Sequence, residues 1–283
     1  MTSIAALPER MRPRLARRLW SFVKRHALTV YAVLVVGYLL LPIAVVILFS
    51  FNAPKSNFNY VWQGFTLDNW INWDEPLGIR SSIETSLKIG MLSTAVATLL
   101  GTLIALAIVR HRFVGRGGTN LLVFLPMSTP EIVVGASLLT LFLNTTAVIQ
   151  LGFWTVFIAH VMFIVSFIVV TVKARLIGFD RHLEEAAMDL GANELMTFRK
   201  VTLPLITPAI LAAFLLCFAI SIDDFVVTYF NAGSSVTFPI YVWGAARIGA
   251  PAQVNVIGTA IFVIAISAAL ANVLIQMRRE KRA

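Results

Sequence analysis

Six stretches of predominantly apolar residues, at about 28–50, 84–109, 119–143, 153–174, 205–230 and 254–277, constrain this chain more than any other feature. A helix rises about 1.5 Å per residue, so about 20 residues cross about 30 Å of hydrocarbon. Backbone amides facing lipid are satisfied only within a helix or a closed barrel, and these runs are too long and too unalternating for barrel strands. The expected fold class is therefore all-α, a polytopic membrane protein with six transmembrane helices. Composition agrees: 58% of the 283 residues are hydrophobic and only 13% charged, where an ordinary soluble domain carries roughly 25%. The single cysteine, Cys217, excludes an intrachain disulfide and thiolate chelation of a metal, and reads as a small core residue of the fifth span.

The net charge of +9 would suit nucleic acid were the basic residues not distributed by membrane side. Arg10, Arg12, Arg14, Arg17, Arg18, Lys24 and Arg25 precede the first span, Arg110, Arg112 and Arg116 follow the second, and Arg278, Arg279, Lys281 and Arg282 follow the sixth. The opposite connections hold only Lys55 and Arg80, then none, then Arg247. This asymmetry puts both termini in the cytoplasm and excludes a nucleic-acid partner. It also divides the chain into a basic N-terminal tail (1–26) attracted to anionic lipid, a membrane domain (27–277) and a short C-terminal tail (278–283). The first apolar run is too long for a signal peptide and no small-residue cleavage site follows it, so it is expected to be retained. The outer connection 51–83 holds Trp62, Trp70 and Trp73 with Asn52, Asn57, Asn59 and Asn69. Those tryptophans suit either an interfacial anchor or contact with a solute-delivering protein.

On the cytoplasmic side, residues 185–204 read EAAMDLGANELMTFRKVTLP. Asp180 is placed to cap a short helix from Arg181 to Leu190 that carries Leu183, Ala187 and Leu190 on one side. Gly191 is expected to end it, Asn193 to cap a second short helix towards Lys200, and Pro204 to enter the first turn of the next span. The spacing Glu185-Ala186-Ala187, Gly191, Leu203-Pro204 resembles the EAA loop of bacterial ABC-importer permeases, with Val201 where the family commonly has Ile. The resemblance implies a type I importer architecture in which this bent pair docks into a separate ATPase, Ala186 and Ala187 allowing close approach and Glu185 facing a basic residue of the partner. It implies further partners: an ATPase dimer, a second permease subunit and an extracytoplasmic substrate-binding protein. The chain has no G-x-x-x-x-G-K-[ST] loop and no Gly-Lys pair, so no cofactor is expected here and ATP with Mg²⁺ belongs to the partner ATPase. The chain is thus expected to be a transport subunit rather than an enzyme.

Charged groups within spans are costly, about 2.5–3.5 kcal/mol each on insertion scales, and mark transport paths. Three acids qualify: Glu131 near the middle of the third span and Asp223 and Asp224 towards the outer end of the fifth. Cys217, Ser221, Asp224 and Thr228 share one helical stripe, so Asp224 is expected to face a pore, a capping or helix-end role being the alternative, and Asp223, turned about 100° away, to be structural or to face the partner subunit. Ser128, Glu131 and Gly135 form a similar stripe, and Pro126 and Pro130 loosen that helix towards a cavity. Phe225, Tyr229 and Trp243 offer cation–π faces, or an interfacial belt in the case of Trp243. Unneutralised acids attract a cation. SFN at 50–52, PEIVVGASLL at 130–139, AISIDDFVVTYFNAG and the following residues to 263 resemble the C-type permease subunits of spermidine/putrescine importers. The implied function is ATP-driven polyamine import by alternating access in the bacterial inner membrane. Permeases for ferric ion, thiamine, phosphonates or opines share much of this framework, and an ion-coupled secondary transporter using the same acids is a further alternative. Of the four histidines only His160 lies in a span, where it reads as a satisfied packing residue; no H-E-x-x-H or G-x-S-x-G motif supports an intramembrane enzyme.

Overall fold

The computed structural model describes residues 12–56, 58–145 and 149–280, with side chains for 26–56, 58–145, 149–267, 270 and 277. Among the described residues the helices are, in chain order, α1 (Arg12–Ser50), α2 (Asp68–Ile71), α3 (Ile79–Arg110), α4 (Arg116–Ser128), α5 (Glu131–Asn144), α6 (Phe153–Ile177), α7 (His182–Asp189), α8 (Glu194–Thr197), α9 (Leu203–Asp223), α10 (Val226–Asn231), α11 (Phe238–Ile248) and α12 (Ala252–Glu280). A π-helical turn, Phe198–Thr202, joins α8 to α9. Arg10, Lys281 and Arg282 lie outside the described residues, as does Asn57. From Arg12 the basic segment is helical and runs without interruption into the first span.

The all-α, polytopic class holds. Among the described residues four helical rods are long and apolar enough to cross a bilayer: His26–Ser50, Ile79–Arg110, Phe153–Ile177 and Glu194–Asp223. The third expected span is not one straight helix: α4 and α5 meet at 108°. Pro130 cannot donate to the ladder and its ring excludes the helical conformation from Thr129, which is extended at ψ 134°. The fifth expected span stops at Asp223 instead of continuing to 230, and the apolar helix Ala252–Ser267 begins the sixth.

The chain divides into two compact units, residues 1–73 with 249–283, and residues 74–248. In the first, α1 packs along α12, and Gly258 sits opposite Val46. Asn52, fully buried, organises the segment after α1: its Nδ2 donates to Asn59 Oδ1 (2.6 Å) and Val61 O (2.8 Å), and its Oδ1 accepts from Gln63 N–H (2.7 Å). Asn69 Nδ2 donates to Asn52 O (2.7 Å), and Phe51 stacks on both Phe65 and Trp70. The connection after the first span therefore has structure of its own, with Trp62 left 42% exposed.

In the second unit α3, α6 and α9 pack on one another. Ser93, Ala97, Gly101 and Ala105 recur every fourth residue along α3 and are all buried, which lets the backbones approach closely. A Cβ at Gly101 would lie 2.8 Å from Ile168 Cγ2. The apolar core around this seam holds Ile108, Ile164, Val172, Ile206 and Cys217. Cys217 is fully buried and its Sγ–H points to Ile164 O at 3.6 Å. The short helix α10 packs on α5, where a Cβ at Gly135 would lie 2.9 Å from Phe230 Cδ2.

Candidate functional site

The break between α9 and α10 gathers most of the polar side chains of the expected substrate path. Asp224 leaves the helix at φ −63°, ψ 119°, and its carboxylate turns back onto the first turn of α10. Oδ2 accepts both the backbone N–H and the hydroxyl of Thr228 (2.7 Å each), and Oδ1 accepts Val227 N–H at 3.4 Å. Asp224 is thus the cap of α10, satisfying amides that no preceding turn reaches. His160 of α6 completes the cluster: Nε2 is 2.8 Å from Thr228 Oγ1 and 3.4 Å from Asp224 Oδ2, and Nδ1 is 2.7 Å from Ser221 Oγ. Since the Thr228 hydroxyl proton goes to the carboxylate, Nε2 must carry a proton to bond Thr228 Oγ1. Ser93 of α3 extends the chain to Ser221 at 3.1 Å.

This corrects the expectation for Asp224. The stripe Cys217, Ser221, Asp224, Thr228 exists and every member is buried, but it faces α3 and α6 rather than a pore. Helical phase tells which residues share a face; it does not tell what that face meets. Asp223, expected to be structural or to face the partner subunit, is exposed at the end of α9. His160 is satisfied, as expected, and is also the hub of the network that sequence reading left out.

Beyond the break, Phe225 lies 5.3 Å from Tyr229 and 5.2 Å from Trp243, ring centre to ring centre, with Tyr229 55% and Trp243 46% exposed. Arg247 Cζ stands 4.7 Å over one side of the Trp243 ring, so that side already holds a cation and the opposite side is the one left to another. Glu131 and Ser128 are both exposed and flank the bend between α4 and α5. Glu131 opens α5, where an acid complements the helix dipole; with the span bent, a depth counted along a straight helix does not apply to it.

The 180–204 segment forms an elbow. Asp180 Oδ1 accepts His182 N–H at 3.0 Å, α7 follows, and Gly191 turns the chain in the left-handed region at φ +88°, open to glycine without strain. Asn193 caps α8 by accepting Met196 N–H at 2.8 Å. The second arm, however, does not stop before Pro204: Leu203 N–H reaches Phe198 O, five residues back, and α8, the π turn and α9 form one rod from Glu194 to Asp223. Pro204 has no N–H to donate, which suits it to the turn following this insertion. Glu185 is exposed and lies 3.2 Å from His182 Nδ1, Ala186 is exposed, and Ala187 and Leu203 are half-buried. Leu183 and Leu190 point outward, 48% and 90% exposed.

Glu184 was not singled out by spacing, yet it is the buried acid of the elbow, 7% exposed. Its two oxygens receive the two terminal nitrogens of Arg110, at the end of α3, and the Thr202 hydroxyl. Burial alone would raise the Glu184 carboxyl. The hydrogen bonds from Arg110 and Thr202 and the charges of Arg110 and Arg181 outweigh it and hold the group below the ordinary carboxylate value. Glu184, Arg110 and Thr202 line a cavity of about 400 Å³ with Leu106, Met188 and Phe198.

Residues 97–279 match the family of binding-protein-dependent transport system inner membrane components. The chain is 37% identical over 246 residues to the spermidine/putrescine transport system permease protein PotC of Escherichia coli (strain K12), covering 87% of this chain and 92% of that one. It is 34% identical over 237 residues to the putrescine transport system permease protein PotI of the same organism, covering 81% and 84%. Among solved structures, a bacterial ABC transporter involved in the import of the acidic polysaccharide alginate aligns with a TM-score of 0.61 at 16% identity over 97% of this chain and 99% of that one. An amino acid ABC transporter aligns with a TM-score of 0.55 at 17% identity over 77% and 100%. At those identities the likeness concerns the fold, and it is the fold of type I importer permeases. A multi-pass chain with this helical order, this elbow and these relatives belongs to the binding-protein-dependent inner-membrane permeases, in the branch of the spermidine/putrescine ABC importers.

Proposed function

We propose that the chain imports a polyamine as one permease subunit of an ATP-driven complex. One observation carries the mechanism: a single rod of 30 residues runs from Glu194 in the elbow to Asp223 at the break, about 45 Å at 1.5 Å per residue. A push on the elbow is delivered at the break beside the exposed carboxylate and the aromatic cluster. The elbow docks on the ATPase dimer, which binds ATP and Mg²⁺, with Glu185, Ala186, Ala187, Gly191, Leu203 and Pro204 as the coupling residues. A second permease subunit faces this one across the pore, a binding protein delivers cargo outside, and both termini lie in the cytoplasm.

The cargo assignment draws on the PotC and PotI relatives and on charge. Asp223 and Glu131 are exposed carboxylates in apolar helices, and no ion pair to either occurs among the described residues. Each attracts an alkylammonium, and Phe225, Tyr229 and Trp243 add faces for it. Ser221, Thr228 and Asp224 support this wall from behind, and Ser128 flanks Glu131. The test is uptake by the complex reconstituted with its binding protein: spermidine or putrescine should be carried and should compete with one another, while neutral and anionic solutes should not. Saturable uptake of an anion, or transport by this chain without the ATPase, would overturn the proposal.

A further inference from the structure

The docking arm has little apolar surface to hold it. Turns flank α7 on both sides, Leu183, Met188 and Leu190 are 48%, 44% and 90% exposed, and its main packing is against α8 and the π turn. Yet one residue of the arm is buried, and it is a charged one. Glu184 meets Arg110 in a two-pronged ion pair across 74 positions of sequence and takes the Thr202 hydroxyl on the same carboxylate. Forked pairs of this kind fix orientation as well as distance. The clasp is reinforced from its other side: Arg110 Cζ is 5.6 Å from the Phe179 ring, and Arg181 Nη2 donates to Val109 O at 3.4 Å. Glu185, one residue on and 100° around the helix, points out instead.

Resting on the reading of α7 as the docking arm, we propose that Glu184 is a positioning residue of the importer: through Arg110 and Thr202 it locks the arm to the end of α3 and the root of α9, so that displacing the arm moves both helices together. Gly191 supplies the bend, Glu185 faces the motor, and Glu184 converts a flexible arm into a rigid one. Without the clasp, the arm still docks but rotates about its flanking turns, and the push is dissipated before it reaches the rod.

The assembled complex tests this. Glu184→Gln and Arg110→Met should leave subunit stoichiometry and unstimulated ATP hydrolysis unchanged while lowering the stimulation by loaded binding protein about 5-fold or more, the scale of an ordinary coupling between sites. Thr202→Val, which keeps the charges, should give a smaller loss of the same kind. A bismaleimide joining the thiols of Arg110→Cys and Glu184→Cys in a Cys217→Ala background should restore stimulation, because the clasp stays closed throughout the cycle. Full stimulation in both charge variants, or abolished transport in the cross-linked protein, would overturn the inference. Gly191→Val separates this from the reading beneath it: if that variant uncouples and the clasp variants do not, the clasp alone is wrong, and if it too couples normally, the docking role of the elbow is wrong.

Discussion

Replacing Asp224 and Asp223 separately by alanine should give opposite phenotypes, although the two carboxylates are neighbours in sequence. Asp224→Ala removes the cap of α10, a loss of about 0.5–2 kcal/mol. It also strands the Thr228 hydroxyl proton, on a side chain 0% exposed, at about 1–3 kcal/mol for a buried donor left without an acceptor. Measured interhelical hydrogen bonds in membranes average about 0.6 kcal/mol, which favours the lower part of that range. The total is about 2–4 kcal/mol, on the order of 5–15 °C in the unfolding midpoint. Asp223→Ala removes an exposed acid at the C-terminal end of α9, where its charge opposes the dipole. Stability should change by less than about 0.5 kcal/mol, while polyamine uptake falls. The measurements are thermal loss of the monodisperse complex in detergent and uptake in proteoliposomes. An unchanged midpoint for Asp224→Ala, together with wild-type uptake for Asp223→Ala, would refute the assignment of a structural role to one acid and a path role to the other.

Three further outcomes are expected. Gly101→Ala puts a methyl group 2.8 Å from Ile168 Cγ2 and 3.2 Å from Val165 O; overpacking of about 1–3 kcal/mol should appear as lower yield and a lower midpoint. Tyr229→Ala and Trp243→Ala each remove a cation–π face of about 0.5–2 kcal/mol, so the half-saturating concentration of loaded binding protein or cargo should rise about 2- to 30-fold with the fold intact. Glu184 has a folded pKa below its reference value of 4.5, so its contribution is complete above that pH and is lost only as pH falls through the lower folded value. Stimulated ATP hydrolysis should therefore show no titration between pH 6 and 8 that disappears in Glu184→Gln.

What could be read from the chain in advance follows the range of the forces involved. Spans 28–50, 84–109 and 153–174 were legible to within a few residues because a run of apolar side chains needs no knowledge of its neighbours to partition into hydrocarbon. Gly191 and Asn193 were legible because turn and cap chemistry is local. The bend at Pro130 was half legible: proline announces a fault in the ladder, but whether the helix loosens or turns by 108° depends on the α5–α10 packing, where Gly135 admits Phe230. The π insertion at Phe198–Thr202 carries no residue signature at all.

The two acids of interest mark the limit most clearly. Spacing selected Glu185 and Asp224, and in each case the adjacent acid has the other environment: Glu184 is buried and Glu185 exposed, Asp224 is buried and Asp223 exposed. Glu185 is turned about 100° from Glu184 on α7, and Asp224 leaves the helix that Asp223 ends, so each pair divides into one carboxylate available to a partner or cargo and one bonded within the chain. The partner decides which is which, and here the partners, Arg110 and His160, lie 74 and 64 positions away. In both pairs the choice between the two acids is set by the cation or hydrogen-bond donor that the fold brings alongside.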